Sequence, residues 1–372
     1  MEVKNNYEEC ITNLACSIRK YFDLNYNHNT LEYIDKILNE NKPQNIVTIL
    51  CDGLGSKILD RTLKQDTFLQ KNKLKTITTV FPATTVAATT SMITGLNPVE
   101  TAMLGWEMYY KDIDKVITTY TSIEKGKDIP LKEAREYKNK HMITKSICEE
   151  INENGKYNGY ELFPFGQNPY LSYNDLLTQI EHLCSKQEKK YIYAYYEEPD
   201  SSMHKLGTDN KEINKIVENI NASLEQLSKK LNNTIIFVVA DHGHINVENI
   251  MLDDYPDIVK CLDKNTSLEP RAVNLFIKEN KKNEFEQLFN KYFKEDFDLY
   301  TKDEIIRSNL FGLGKENEVF RDILGDYIAL AKTNKALIYG GTQILKAQHA
   351  GYTDDEIYIP LIVINTNEEN NE

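Results

Sequence analysis

Five short segments hold the groups able to do chemistry. Asp241-His242-Gly243-His244 follows the apolar run TIIFVVA at 234–240. A carboxylate beside an imidazole suits Zn²⁺ or Mn²⁺. Charged groups at the end of a buried strand cost free energy unless they are paired or metal-bound. His244 either supports these ligands from behind or lies exposed. Asp200 and His204, in PDSSMH, are four residues apart, so one helical turn puts both on one side. That spacing suits two ligands of one metal; it also suits an N-cap Asp with an exposed His. Asp52 follows the run at 46–51 and reads as a ligand or as the Asp of an Asp-Gly turn. His349 sits in the loop QHAGYT, and four of the chain's seven histidines fall in these motifs.

Thr84 and Thr85, in FPATTVAATTS, open a small-residue segment that reads as a helix over 84–94. At a helix start the dipole and free N–H groups favour an anion. A Thr hydroxyl becomes a usable nucleophile when a metal lowers its pKa. The candidate ligands are then three Asp, three His and one Thr hydroxyl. Divided between two ions ~3.5–4 Å apart, such a set clamps the attacking and leaving oxygens of an in-line displacement at phosphorus.

The elements that must position these residues alternate. Residues 5–40 read as helical and 46–51 as a buried strand. Further strands are expected at 75–81, 191–196, 234–240 and 357–364, and a helix at 211–231 from its apolar stripe. Alternating strands and helices imply an α/β fold with a mostly parallel central sheet covered on both faces. Ligands bind such sheets beyond the carboxyl ends of the strands, where Asp52, Thr84–Thr85, Asp200 and Asp241–His242 fall. Residues 255–340 read as a smaller inserted lobe over the site, with strands at 271–277 and 299–301 and a helix at 284–293. The expected division is a helical segment 1–42, a core of 43–254 plus 341–372, and that lobe. Residues 365–372 form an acidic, Asn-rich tail expected to fray.

The 372 residues carry a net charge of −13, which argues against a nucleic-acid polymer as partner. A metal-bearing site can still hold a small phosphorylated substrate in an acidic protein. No apolar run reaches the ~20 residues of a membrane span. The N-terminal sequence lacks an apolar signal core, and six cysteines without a CxxC pair read as free thiols. A cytoplasmic location is expected.

Taken together, ILCDGLG (49–55), FPATTVAATTSMITGLNP (81–98), YYEEPDSSMHKLG (195–207), VVADHGH (238–244) and QHAGYTDDEIYIPLIVI (348–364) resemble the alkaline phosphatase superfamily. They are most similar to its type I phosphodiesterase/nucleotide pyrophosphatase branch. The resemblance implies an alkaline-phosphatase-like fold and two divalent metals, usually zinc. It implies Thr85 as nucleophile, with Thr84 as the alternative. Asp52, Asp241 and His242 match the ligands of the metal that binds the nucleophile; Asp200, His204 and His349 match those of the second. Met203 replaces a usual glycine, and Ala88 stands where relatives often carry an asparagine that contacts a phosphoryl oxygen.

The expected activity is hydrolysis of a phosphodiester or nucleotide pyrophosphate bond through a phospho-threonine, falling in acid as histidines protonate. A phosphomonoesterase and a non-catalytic, metal-dependent binder of phosphorylated ligands are the alternatives. A sulfatase would need a Cys or Ser nucleophile in a Cys/Ser-x-Pro-x-Arg setting, and a mutase a Ser. Trp106 could stack on a nucleobase or pack in the core or at the lobe interface. Arg271 could clamp a phosphate or serve structure.

Overall fold

The computed structural model describes residues 3–166 and 169–367, so 368–372 of the acidic tail lie outside the described residues. The central sheet has six strands, in the order Lys73–Thr78, Tyr358–Asn365, Thr234–Val239, Asn45–Cys51, Lys190–Tyr196 and Asn158–Leu162. The last four of these lie parallel to one another. Tyr358–Asn365 runs antiparallel to both of its neighbours. Asn45–Cys51 and Thr234–Val239 are buried at every residue, as befits strands covered on both faces.

Five of the six strands were expected. Asn158–Leu162 was not, because NGYEL, with only Gly159 and Leu162 buried at the sheet edge, forms no apolar run. The expected helical region 5–40 is two helices, Ile11–Tyr21 and Glu32–Asn41. Between them Asp23 adopts a left-handed φ of 59° in a polar, Asn-rich stretch. The small-residue helix spans Thr85–Thr94, with Thr84 as N-cap and Gly95 at φ 73° closing it. The apolar stripe at 211–231 becomes the helix Lys211–Ser228. No helix among the described residues is long and apolar enough to cross a membrane.

A second sheet of seven strands is ordered Phe297–Thr301, Tyr327–Ala331, Ala272–Leu275, Ser267–Glu269, Glu107–Tyr110, Lys115–Thr118 and Ile123–Glu124. Its pairings are antiparallel throughout. The lobe expected at 255–340 therefore shares its sheet with residues 107–124, which the sequence division assigns to the core. Leu268 pairs with Glu107 and joins the two halves. A single backbone pairing between distant segments leaves no periodic signal in the sequence.

The sheet topology fixes where the chemistry sits. The parallel strands end at Cys51, Tyr196 and Val239, so Asp52, Asp200 and Asp241 emerge at one edge. Because Tyr358–Asn365 runs the other way, it is the segment before it, carrying His349, that reaches the same edge.

Candidate active site

Two glycines let the ligand loops converge. Gly55 follows Asp52 and Gly243 follows His242. A Cβ on Gly55 would overlap the Gly243 Cα, and one on Gly243 would overlap the Asp355 carbonyl. The Gly243 N–H donates to the Glu356 carbonyl at 2.8 Å. The Asp200 N–H donates to the Asp52 carbonyl at 3.0 Å, which ties the third loop to the first. Met203 is fully buried; its Cε would lie 3.0 Å from a Cβ on Gly53, so the bulk that replaces glycine fills space beside the first loop.

Thr85 stands inside the first group of ligands. Its Oγ1 lies 3.3 Å from Asp52 Oδ2 and 3.3 Å from His242 Nε2. His242 Nε2 is also 3.3 Å from Asp52 Oδ1 and 3.6 Å from Asp241 Oδ2. Asp241 Oδ1 accepts the Gly53 and His242 N–H groups, both at 3.0 Å, which fixes the carboxylate. The second group surrounds Asp200: its Oδ1 is 3.4 Å from His204 Nε2, 4.0 Å from His349 Nε2 and 2.5 Å from His244 Nε2. His204 Nδ1 faces the Ala347 carbonyl at 2.8 Å and His349 Nδ1 faces the Ala83 carbonyl at 3.1 Å. Each carbonyl holds the proton on Nδ1 and leaves Nε2 as the free donor atom. The rings of His242 and His349 stack at 3.8 Å between the two groups.

These donors fit divalent cations. Asp200, His204, His244 and His349 offer atoms within 4.8 Å of one another, and so do Asp52, Asp200 and His242. Asp52 Oδ1 and Asp241 Oδ2 are buried without a hydrogen-bond partner. Burial, then the charges of Asp241 and Asp200, pushes the Asp52 carboxyl well up from its ordinary value. Burial likewise raises Asp241. Burial opposes ionisation of Asp200, yet the His204, His244 and His349 rings around it hold it well below the usual carboxylate range. Burial lowers His349 far below 6.5 and His244 to about 4, so both rings are neutral, the form that ligates. Three crowded carboxyls and neutral imidazoles form a site that cations complete.

The remaining candidates fare differently. Thr84 is buried with its hydroxyl donated to Glu269 at 2.6 Å, so it is Thr85 that the fold brings to the ligands. Trp106 is 43% exposed and meets Tyr120 edge-on at 5.9 Å. It lines a cavity of about 700 Å³ together with Thr85, Asp200, His204, Glu269 and His349, which sets aside the core-packing reading. Arg271 does not clamp a phosphate: fully buried, it donates to both Glu356 oxygens at 2.6 and 2.8 Å and to the Lys335 carbonyl at 2.6 Å. Through Glu356, which also accepts the Gly351 N–H at 2.7 Å, it braces the loop after His349. Ala88 is buried in the main core, where an asparagine would meet packing rather than substrate.

Two residues escaped the sequence reading, and a third, His244, was read as a support or as exposed rather than as a ligand. His244 is 2% exposed and joins the Asp200 group; its place two residues after His242 was the available signal. Tyr195 donates its hydroxyl to Asp52 Oδ2. Glu269 is 6% exposed within a short strand of the second sheet and gave no signal at all.

Solved structures share this architecture. Murine ectonucleotide pyrophosphatase/phosphodiesterase 5 superposes with a TM-score of 0.64 at 17% identity, over 86% of this chain and 88% of that one. The human protein of the same name gives 0.65 at 18% identity, over 86% and 87%. An inactive variant of the murine protein in complex with AMP gives 0.63 at 17% identity, over 86% and 88%. At these identities the likeness is one of fold, and the fold is alkaline-phosphatase-like α/β. Among curated proteins no sequence match is found. The profile of the type I phosphodiesterase/nucleotide pyrophosphatase family matches residues 46–350, from the strand before Asp52 through His349. With that match spanning all of the clustered side chains, the chain belongs to the type I phosphodiesterase/nucleotide pyrophosphatase family and is a metal-dependent hydrolase of that type.

Proposed function

We propose that the protein hydrolyses a small, nucleotide-like phosphodiester or pyrophosphate in two displacements, with Thr85 as nucleophile and two divalent cations, zinc in the first instance. The observation that carries the reading is the position of Thr85 Oγ1, 3.3 Å from both Asp52 Oδ2 and His242 Nε2. Asp52, Asp241 and His242 would hold one cation with Thr85; Asp200, His204, His349 and the adjoining His244 would hold the other. Bound cations supply Lewis acidity there, lowering the pKa of hydroxyl and water and offsetting charge on phosphoryl oxygens.

The chain's own residues do the rest. Thr85 Oγ1 attacks phosphorus in line, its proton passing to solvent, and the leaving oxygen departs with the first product. A phospho-threonine ester forms. Asp52 and His242 keep Oγ1 oriented through this step, and Asp241 is fixed by the Gly53 and His242 N–H groups. Water then attacks phosphorus from the side of Asp200, His204 and His349, and Thr85 is regenerated. The cavity of about 700 Å³ has room for a nucleotide, and Trp106 on its wall offers a face to a base. The AMP bound to the murine relative's inactive variant is in keeping with such a substrate. A cytoplasmic location belongs to the same proposal, supported by six cysteines that are all free thiols.

The test compares a chromogenic phosphodiester with its monoester on zinc-loaded protein, with Thr85→Ala as control and zinc content measured alongside. Diester preference with a dead control upholds the reading. Preference for the monoester moves the protein to the phosphatases, and bound metal without turnover moves it to the non-catalytic binders.

A further inference from the structure

Glu269 lies in the cavity with Thr85, yet the two displacements make no use of it. It ends the short strand Ser267–Glu269 of the second sheet. Its Oε1 accepts two hydrogen bonds, from the Thr84 hydroxyl at 2.6 Å and from the Trp106 backbone N–H at 2.7 Å. The fold strains itself to hold it there. Leu268 sits at φ 65°, a left-handed conformation that leucine rarely adopts. The Leu268 Cα would lie 3.0 Å from a Cβ on Gly105, so the turn before Trp106 approaches this closely only with glycine.

The consequence falls on the Thr85–Thr94 helix. Thr84 is its N-cap, a position where a Thr oxygen ordinarily accepts an N–H of the first turn and so closes the helix end. Here Thr84 makes no such bond, and its hydroxyl donates to Glu269 instead. We propose that Glu269 is a positioning residue for the phosphoryl group: by holding the Thr84 hydroxyl, it keeps the first turn of the Thr85–Thr94 helix uncapped, so that its N–H groups face the phosphoryl oxygen of the ester that Thr85 attacks. An open helix start with its positive dipole end is a ready anion site. Burial pushes Glu269 up to about 8, and Oε1 serves as acceptor whether or not the group carries charge. A glutamine can therefore take its place.

This inference rests on Thr85 as nucleophile, and the experiment separates the two. Inorganic phosphate is titrated calorimetrically into zinc-loaded full-length protein, and KM and kcat are measured for the chromogenic diester. Glu269→Gln keeps the acceptor and is expected within about threefold of wild type. Glu269→Met keeps volume without an acceptor and is expected to weaken phosphate about ten- to a hundredfold, with a matching loss in kcat/KM. Adding Thr84→Val to Glu269→Met removes the hydroxyl that would cap the helix and restores most of the phosphate affinity. A merely structural role for Glu269 would show no such rescue. Should Glu269→Met fail to fold, Glu269→Asp, whose acceptor is withdrawn by one methylene, carries the same expectation. Phosphate affinity unchanged in these variants, or no rescue by Thr84→Val, overturns the inference alone. A wild type that binds no phosphate also overturns the inference, whereas diester turnover that survives Thr85→Ala overturns the nucleophile reading itself.

Discussion

Tyr195 donates its hydroxyl to Asp52 across two adjacent parallel strands, onto the same Oδ2 that lies 3.3 Å from the Thr85 hydroxyl. Without that donor, burial and the charges of Asp241 and Asp200 act on Asp52 with less opposition, and its ionised form is harder to hold. Groups that brace a metal-binding carboxylate affect affinity almost as the ligands do. We expect Tyr195→Phe to weaken zinc binding about ten- to a hundredfold at unchanged stoichiometry. Competition with a chromophoric chelator measures this, and an unchanged affinity would show the bond to be incidental.

Thr85 separates chemistry from metal assembly. Thr85→Ala keeps the Asp52, Asp241 and His242 carboxylates and ring in place and removes the oxygen proposed to attack. Diester hydrolysis should fall by about 10³-fold or more, while both zinc ions still bind. Thr85→Ser keeps a hydroxyl with more rotamer freedom and should retain a measurable fraction of the activity. Comparable rates for Thr85→Ala and wild type would mean that another group attacks phosphorus.

Glu269 makes a pH prediction whose sign can be worked out. Its carboxyl rises from an ordinary 4.5 to about 8 in the folded chain, chiefly by burial. Between those values the folded state holds a proton that the unfolded state has lost. The stability Glu269 contributes is thus whole below 4.5 and is lost as pH climbs toward 8. Glu269→Gln has no such proton to lose. In metal-free protein, the unfolding free energy of wild type from urea titration should fall relative to Glu269→Gln across this window, by an amount on the order of a few kcal/mol at its upper end. Parallel values would mean that Glu269 is ionised throughout.

The fold and most of the candidate ligands that it gathers were legible because each rests on a local signal. Buried parallel strands are unbroken apolar runs, and the residues that follow them in an α/β sheet carry the chemistry. Asp52, Asp200 and Asp241 were readable on that ground, and the helix 84–94 from its small residues and terminal glycine. What was illegible depends on tertiary direction. His349 was named from its motif, but the antiparallel last strand that brings it to the site was not, since nothing within QHAGYT reports strand direction. Arg271 looked like any arginine until Glu356 was found against it. The strands within 107–124 join the rest of the second sheet through one pairing with Leu268, at a contact no periodicity records. Glu269 became visible only once Thr84 and Trp106 were seen to share it.

Gly243 is the position where the two loops of candidate metal ligands leave no room. It follows His242 directly, and an added Cβ there would overlap the Asp355 carbonyl while the same residue's N–H is committed to the Glu356 carbonyl at 2.8 Å. The neighbouring carbonyl is backbone, braced by Arg271 through Glu356, so it cannot swing aside as a flexible side chain would. Gly243→Ala must then move either the His242 loop or the loop after His349, and each carries a ligand. Overpacking of this kind costs about 1–3 kcal/mol. We expect a lower urea midpoint, together with weaker zinc uptake that persists under conditions where the variant is fully folded. A variant that loses stability yet binds zinc like wild type would show that the loops yield elsewhere and that their contact does not set the ligand geometry.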